Sequence, residues 1–345
     1  MARNLARNLI TALVATSMLI ATTTLAHAQH ADLQHADLLV IEKGAQSLAI
    51  VDPASGSKLA SVPEGGITGH EVIASLDGKY AYVPIYGNSG VGKPGTDGSK
   101  LDVIELASRQ VVGTLDFGHG VRPHCPKIGK DGLLYVTTEL DQTISVIDAK
   151  DPKAPKIVAT IPTGQPESHM LILSHNGQRG YTANVGPGTV SVLDIPNRKT
   201  LAVLPISKSV QRISISPDDS MVFTSDQTTP QLAVIDTATN KIKKWIPMPS
   251  HGYGSAPTPD GRWLLVALDE TNKVAVIDLK TLEVAHVIEV PAHPQEVLVR
   301  PNGKVAYIAT NTTDQVAELD IATWKVTRLI QVGKSADGLA WAANH

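Results

Sequence analysis

Three histidines, His70, His124 and His169, stand 54 and 45 residues apart, and Gln211, Tyr253, Gln295 and Asp337 continue the same column at intervals of 42. Each lies five residues before a residue that opens a turn, so the seven form one equivalent position in a repeat. Neutral imidazole suits zinc, copper or iron, and three brought together would hold a divalent transition metal. The same polar ring, with Gln211, Tyr253, Gln295 and Asp337 as binding groups, could instead hold a small organic ligand, or hydrogen-bond loop carbonyls and bind nothing. Glu71, Cys125, Met170 and Glu296 flank the column and could complete or tune a site. In a metal-assisted hydrolase or lyase a rim metal would polarise a carbonyl and Glu71 would move the proton. His124-Cys125 and His169-Met170 have copper-site composition. Neighbours on a strand face opposite ways, however, and need a bulge to share one ion.

The elements that must position this column are strands. A Val-Ile-Asp-like phrase closes at Asp52, Glu105, Asp148, Asp194, Asp236, Asp278 and Asp320, the last three intervals being 42 residues each. Between copies lie four short alternating stretches, as in EVLV, KVAYIAT, QVAELD and KVTRLIQV from Glu296 onward, which predict four antiparallel strands per repeat. Turns recur at Asp77-Gly78, Asp131-Gly132, Asn176-Gly177, Asp218-Asp219, Asp260-Gly261 and Asn302-Gly303. Four-stranded units at this period predict an all-β, seven-bladed β-propeller, whose radial packing buries both faces of most sheets. The last repeat stops after one more strand, near Asp337 to Trp341, while an extra strand near Leu38 to Ile41 precedes the first. The N-terminal strands are therefore expected to pair with the C-terminal one and close the ring.

The start of each innermost strand and the hand-over from second to third strand share one rim. This places the histidine column, His251 and His293 two positions before it in neighbouring blades, and a Gly-rich insertion at 87–100 around the mouth of the central channel. The Asp of each repeat phrase is expected to be an acceptor for turn amides.

The segments SPDDSMVFTSD (216–226), TPDGRWLLVALDETNKVAVIDLKT (258–281) and RPNGKVAYIATN (300–311) resemble the YVTN-repeat, or YncE-like, family of seven-bladed propellers, over about residues 38 to 341. The resemblance implies the fold; that family includes surface-layer and periplasmic proteins and is similar to lactonase-like propellers, and it supplies no agreed catalytic residues. Analogy with propellers that hold metal by channel histidines, such as the nitrous oxide reductase catalytic domain, favours the metal reading.

Arg3 and Arg7, an apolar run from Leu9 to Leu25 and Ala26-His27-Ala28 read as a secretory signal peptide, leaving residues 29–345 as one propeller domain, periplasmic or secreted, with no membrane span after cleavage. A small-molecule ligand or a periplasmic protein is the expected partner. Formal net charge is −3 with no basic block, which disfavours nucleic acid. Cys125 is the single cysteine, so no intramolecular disulfide forms. Gly87 to Lys93 imitates a P-loop, and Gly90, Gly92 and Gly95 imitate G-x-G-x-x-G. Turn formers and a strand, not a helix, follow them, so a mobile surface loop is expected there.

Overall fold

The computed structural model describes residues 36–343, and within them seven four-stranded antiparallel sheets form a β-propeller. Blade 2 runs from Ile73–Ala74 through Tyr80–Gly87 and Asp97–Glu105 to Gln110–Asp116; blades 3 to 7 begin at Pro123–Ile128, Ser168–Leu173, Val210–Ile215, Ser255–Pro257 and Pro294–Val299. In blade 1 the innermost strand is Ala336–Ala343, hydrogen-bonded to Ala36–Glu42 at pairs such as Leu39 with Ala340, so the first and last of the described strands share one sheet. The signal-peptide reading falls on residues outside those described.

In the middle strands side chains on both faces are buried because both meet a neighbouring blade; most are apolar, with buried hydroxyls such as Thr137, Thr182 and Thr224 among them. Leu265, Ala267, Val274 and Val276 of blade 6 pack against Val297, Ile308, Ala317 and Leu319 of blade 7. Tyr307, Ala309 and Val316 of blade 7 pack against Leu38, Val40 and Ala49 of blade 1. Each fully buried Leu, Ile or Val contributes about 1.5 to 3 kcal/mol. β-Branched residues are well suited to these pleated faces.

The turn chemistry is as the sequence predicts. Gly78, Gly132, Gly177, Gly261 and Gly303 take φ between +68° and +77°, where a Cβ is strained. Blade 5 has Asp219 at this place, φ +61°, and its carboxylate accepts the His175 and Asn176 amides of blade 4 at 2.8 and 3.0 Å. The repeat aspartates are turn acceptors: Asp52 takes the Ala54 amide, Asp236 the Thr239 amide and Asp320 the Thr323 amide, at 2.9, 2.8 and 2.7 Å. Hydroxyl bonds from Ser55, Thr239 and Thr323, together with these amide bonds, hold the three carboxyls below the usual range.

Candidate functional site

Two local devices aim the column inward. Two residues before His70, His124, His169, Gln295 and Asp337 the chain adopts left-handed backbone, at Thr68, Arg122, Glu167, His293 and Ser335, with φ from +42° to +60°. The ladder between innermost and second strand then shifts between Pro123 and Pro126, Ser168 and Met170, Gln211 and Ser214, and Pro294 and Glu296. Such a bulge inserts an unpaired residue and redirects its side chain. In blade 5 the left-handed residue is Arg212 itself, φ +58°.

The three histidines meet. His70 and His124 ring centroids are 5.4 Å apart and edge-on, and His124 and His169 are 3.6 Å apart and tilted by 31°. Their exposures are 8%, 2% and 5%. Tyr86 sits among them, 4.7, 5.2 and 5.7 Å from His70, His124 and His169. Burial drives the imidazoles of His70 and His124 well below their ordinary range; Lys43 and His169 add to this at His70, and His169 and His70 at His124, so both rings are neutral. Nε2 of His70 and Nδ1 of His124 are buried without a hydrogen-bond partner.

Sequence reasoning missed the residues that organise this group. Glu139 accepts the Tyr86 hydroxyl at 2.8 Å, meets His169 Nδ1 at 3.0 Å and faces Arg122 Nη1 at 3.4 Å. The contact to Nδ1 favours the tautomer that leaves Nε2 of His169 as an acceptor. Against its burial, the bonds from His169 and Tyr86 and the Arg122 charge hold the Glu139 carboxyl low. Tyr86 and Glu139 occupy matching places at the end of the second strand, and their amides donate to the carbonyls of the left-handed Thr68 and Arg122 at 3.0 and 3.4 Å. Aligning second-strand ends, rather than only first-strand starts, would have found them.

Arg122 also fastens the insertion. Its guanidinium bonds Asp97 at 2.6 Å, the Gly90 carbonyl at 3.2 Å and the Lys93 carbonyl at 2.7 Å. The loop expected to be mobile is thus pinned at three points beside the histidines, because one arginine answers its orphan carbonyls and Glu139 together. No helix follows its glycines; the chain enters the strand Asp97–Glu105.

On the other side of the axis the column and its neighbours make a charged floor. Arg212 reaches across the ring to Glu71, with which it is tightly paired, and lies 3.0 Å from Glu296 and 3.5 Å from Asp337. Met170 Sδ is 3.6 Å away, and the Tyr253 ring centroid lies 4.9 Å below the guanidinium. Lys43 stands 3.7 Å from Asp337. Burial raises the carboxyls of Glu296 and Asp337 above the usual range despite Arg212. The candidate proton carrier Glu71 is therefore engaged with a guanidinium.

The remaining residues divide. Gln211 accepts the Arg212 amide at 3.2 Å, and Gln295 donates to Asp269 at 2.7 Å. His251 and His293 pair with Glu270 and Asp269 of the short helix Asp269–Thr271, at 3.0 and 3.2 Å. A bulge does occur beside His124, yet Cys125 belongs to the interblade core, its thiol donating to the Leu171 carbonyl at 3.4 Å and raised by burial. Among the described residues no group of three His, Cys, Asp or Glu is arranged to hold a metal ion. Two clefts of about 720 and 750 Å³ lie at the opposite end, lined by turn residues such as Pro217, Asp260, Lys130 and Asn176. Turn aspartates there are spent on local bonds, as Asp218 and Asp260 show.

Seven four-stranded blades define the class of protein, a β-propeller. The YNCE-like beta-propeller family model matches residues 249–345, and with the seven blades it supports the YncE-like family. A chain of Kuenenia stuttgartiensis hydrazine synthase superposes with a TM-score of 0.71 at 19% identity, covering 83% of this chain and 92% of that one. Pseudomonas aeruginosa periplasmic gluconolactonase, PpgL, superposes with a TM-score of 0.71 at 17% identity, covering 89% and 99%. At these identities the likeness is one of fold. No curated protein sequence matches.

Proposed function

We propose that this chain is a binding propeller that captures a small polar ligand at the histidine-lined end of its channel. One observation carries the reading: His70, Tyr86, His124 and His169, from three blades, converge in a buried group that leaves two ring nitrogens without partners. Buried polar atoms are normally satisfied, and one left open in a concave mouth is suited to a ligand. The secretory leader read at residues 1–28 would put this mouth in the periplasm or beyond.

A metal is the second reading. It is supported by Glu139, which holds His169 as the outer carboxylate of a metal-ligating histidine does. His70, His124 and His169 would be the ligands, after rotation of the stacked His124 and His169 rings, and the ion would supply Lewis acidity. A lactonase-like hydrolase has for support the shared architecture with the gluconolactonase.

Calorimetric titration with sugars, hydroxy acids and lactones, a lactone-hydrolysis assay and elemental analysis would be run on the wild type, His70→Ala and His124→Ala. A saturable organic ligand lost in both variants supports the binding reading, and turnover lost in both converts it to the hydrolase. Stoichiometric metal lost in both favours the second reading. No ligand, no turnover and no metal would leave a scaffold and overturn the proposal.

A further inference from the structure

The charged floor leaves three buried atoms without a hydrogen bond of good geometry: Arg212 Nε, and Glu296 Oε2 and Asp337 Oδ1, the two oxygens that face the Arg212 amino nitrogens as ion pairs. Arg212 is 4% exposed and Asp337 3%. These atoms come from blades 5, 7 and 1, and the Arg212 guanidinium, 3.0 and 3.5 Å from the two carboxylates, joins them into one surface. One is a donor and two are acceptors. Arg212, Lys43 and Lys127 face Glu71, Glu296 and Asp337 around them.

This mixture of signs selects among ligands. A cation would satisfy the carboxylate oxygens and leave the guanidinium N–H unanswered. An anion would answer Nε and face two carboxylates. A hydroxyl both donates and accepts, so two adjacent hydroxyls satisfy all three atoms together without adding charge. Resting on the binding reading above, we infer that the Arg212 floor is a subsite for adjacent hydroxyl groups, and that the ligand is a small polyhydroxylated molecule.

The test is calorimetric titration of the whole protein with myo-inositol, sorbitol and glucose, against the hydroxyl-poor controls cyclohexanol and succinate and against zinc. Arg212→Lys keeps the charge and removes the Nε–H; Asp337→Asn keeps the volume and removes the charge, and serves if the arginine variant fails to fold. Expected are saturable binding of at least one polyol, none of the controls, and a loss of about tenfold or more in either folded variant. Binding of cyclohexanol, succinate or zinc undiminished in Arg212→Lys but lost in His124→Ala would overturn this inference and leave the histidine site standing. Absence of binding by every probe, with water alone answering the three atoms, would overturn this inference; the binding reading then rests on the broader panel above.

Discussion

Glu139 shows how much one side chain decides. It answers a hydroxyl, an imidazole and a guanidinium at once, so Glu139→Gln should cost about 2 to 4 kcal/mol in urea unfolding. It should also move the ring-nitrogen NMR signals of His169 away from an Nδ1–H tautomer; unchanged signals would mean that Glu139 does not set the imidazole. Glu64 supplies a pH prediction. Burial, then the charges of Asp102 and Glu42, outweigh the Gly69 amide and raise its carboxyl to about 7. A carboxyl raised on folding contributes stability that is fully present below its unfolded value, about 4.5, and is lost as pH rises through about 7. Glu64→Gln should therefore flatten the fall in urea midpoint between about pH 5 and pH 8; a slope equal to that of the wild type would contradict the assignment.

Strands and turns were the legible part of the sequence, since alternation, Asp-Gly turns and a 42-residue period are local signals. The histidine column was legible for the same reason, and its three histidines do come together. Tyr86, Glu139 and Arg122 were not, because their role depends on left-handed backbone at Thr68 and Arg122 that no residue type announces. Glu71, Glu296 and Asp337 of the floor were legible, and Arg212, which joins them, escaped because it reaches Glu71 across 141 residues of sequence. Arg122→Ala should release the insertion, speeding hydrogen exchange of amides 88–96 by about tenfold or more; exchange as slow as in the wild type would show that the loop holds itself. Ile308, fully buried between blades 7 and 6, tests the packing. Its truncation to Ala should cost about 2 to 5 kcal/mol, read from urea unfolding.

The ring as a whole is closed by pairing Ala336–Ala343 with Ala36–Glu42, and closure is what brings Asp337 to the same floor as Arg212 and Glu296. A chain ending at residue 335 would leave blade 1 with three strands, uncover the residues on which Leu339 and Ala342 pack, and lose its single cooperative unfolding transition. The site is thus a product of the circle: no blade holds more than a fraction of it. The most direct measurement is a high-resolution crystal structure of the protein grown with whichever probe binds in calorimetry. Density for that probe bridging His70 Nε2, His124 Nδ1 and the Arg212 floor is the predicted result. A channel end holding only water, with the three imidazoles turned to loop carbonyls, would contradict it.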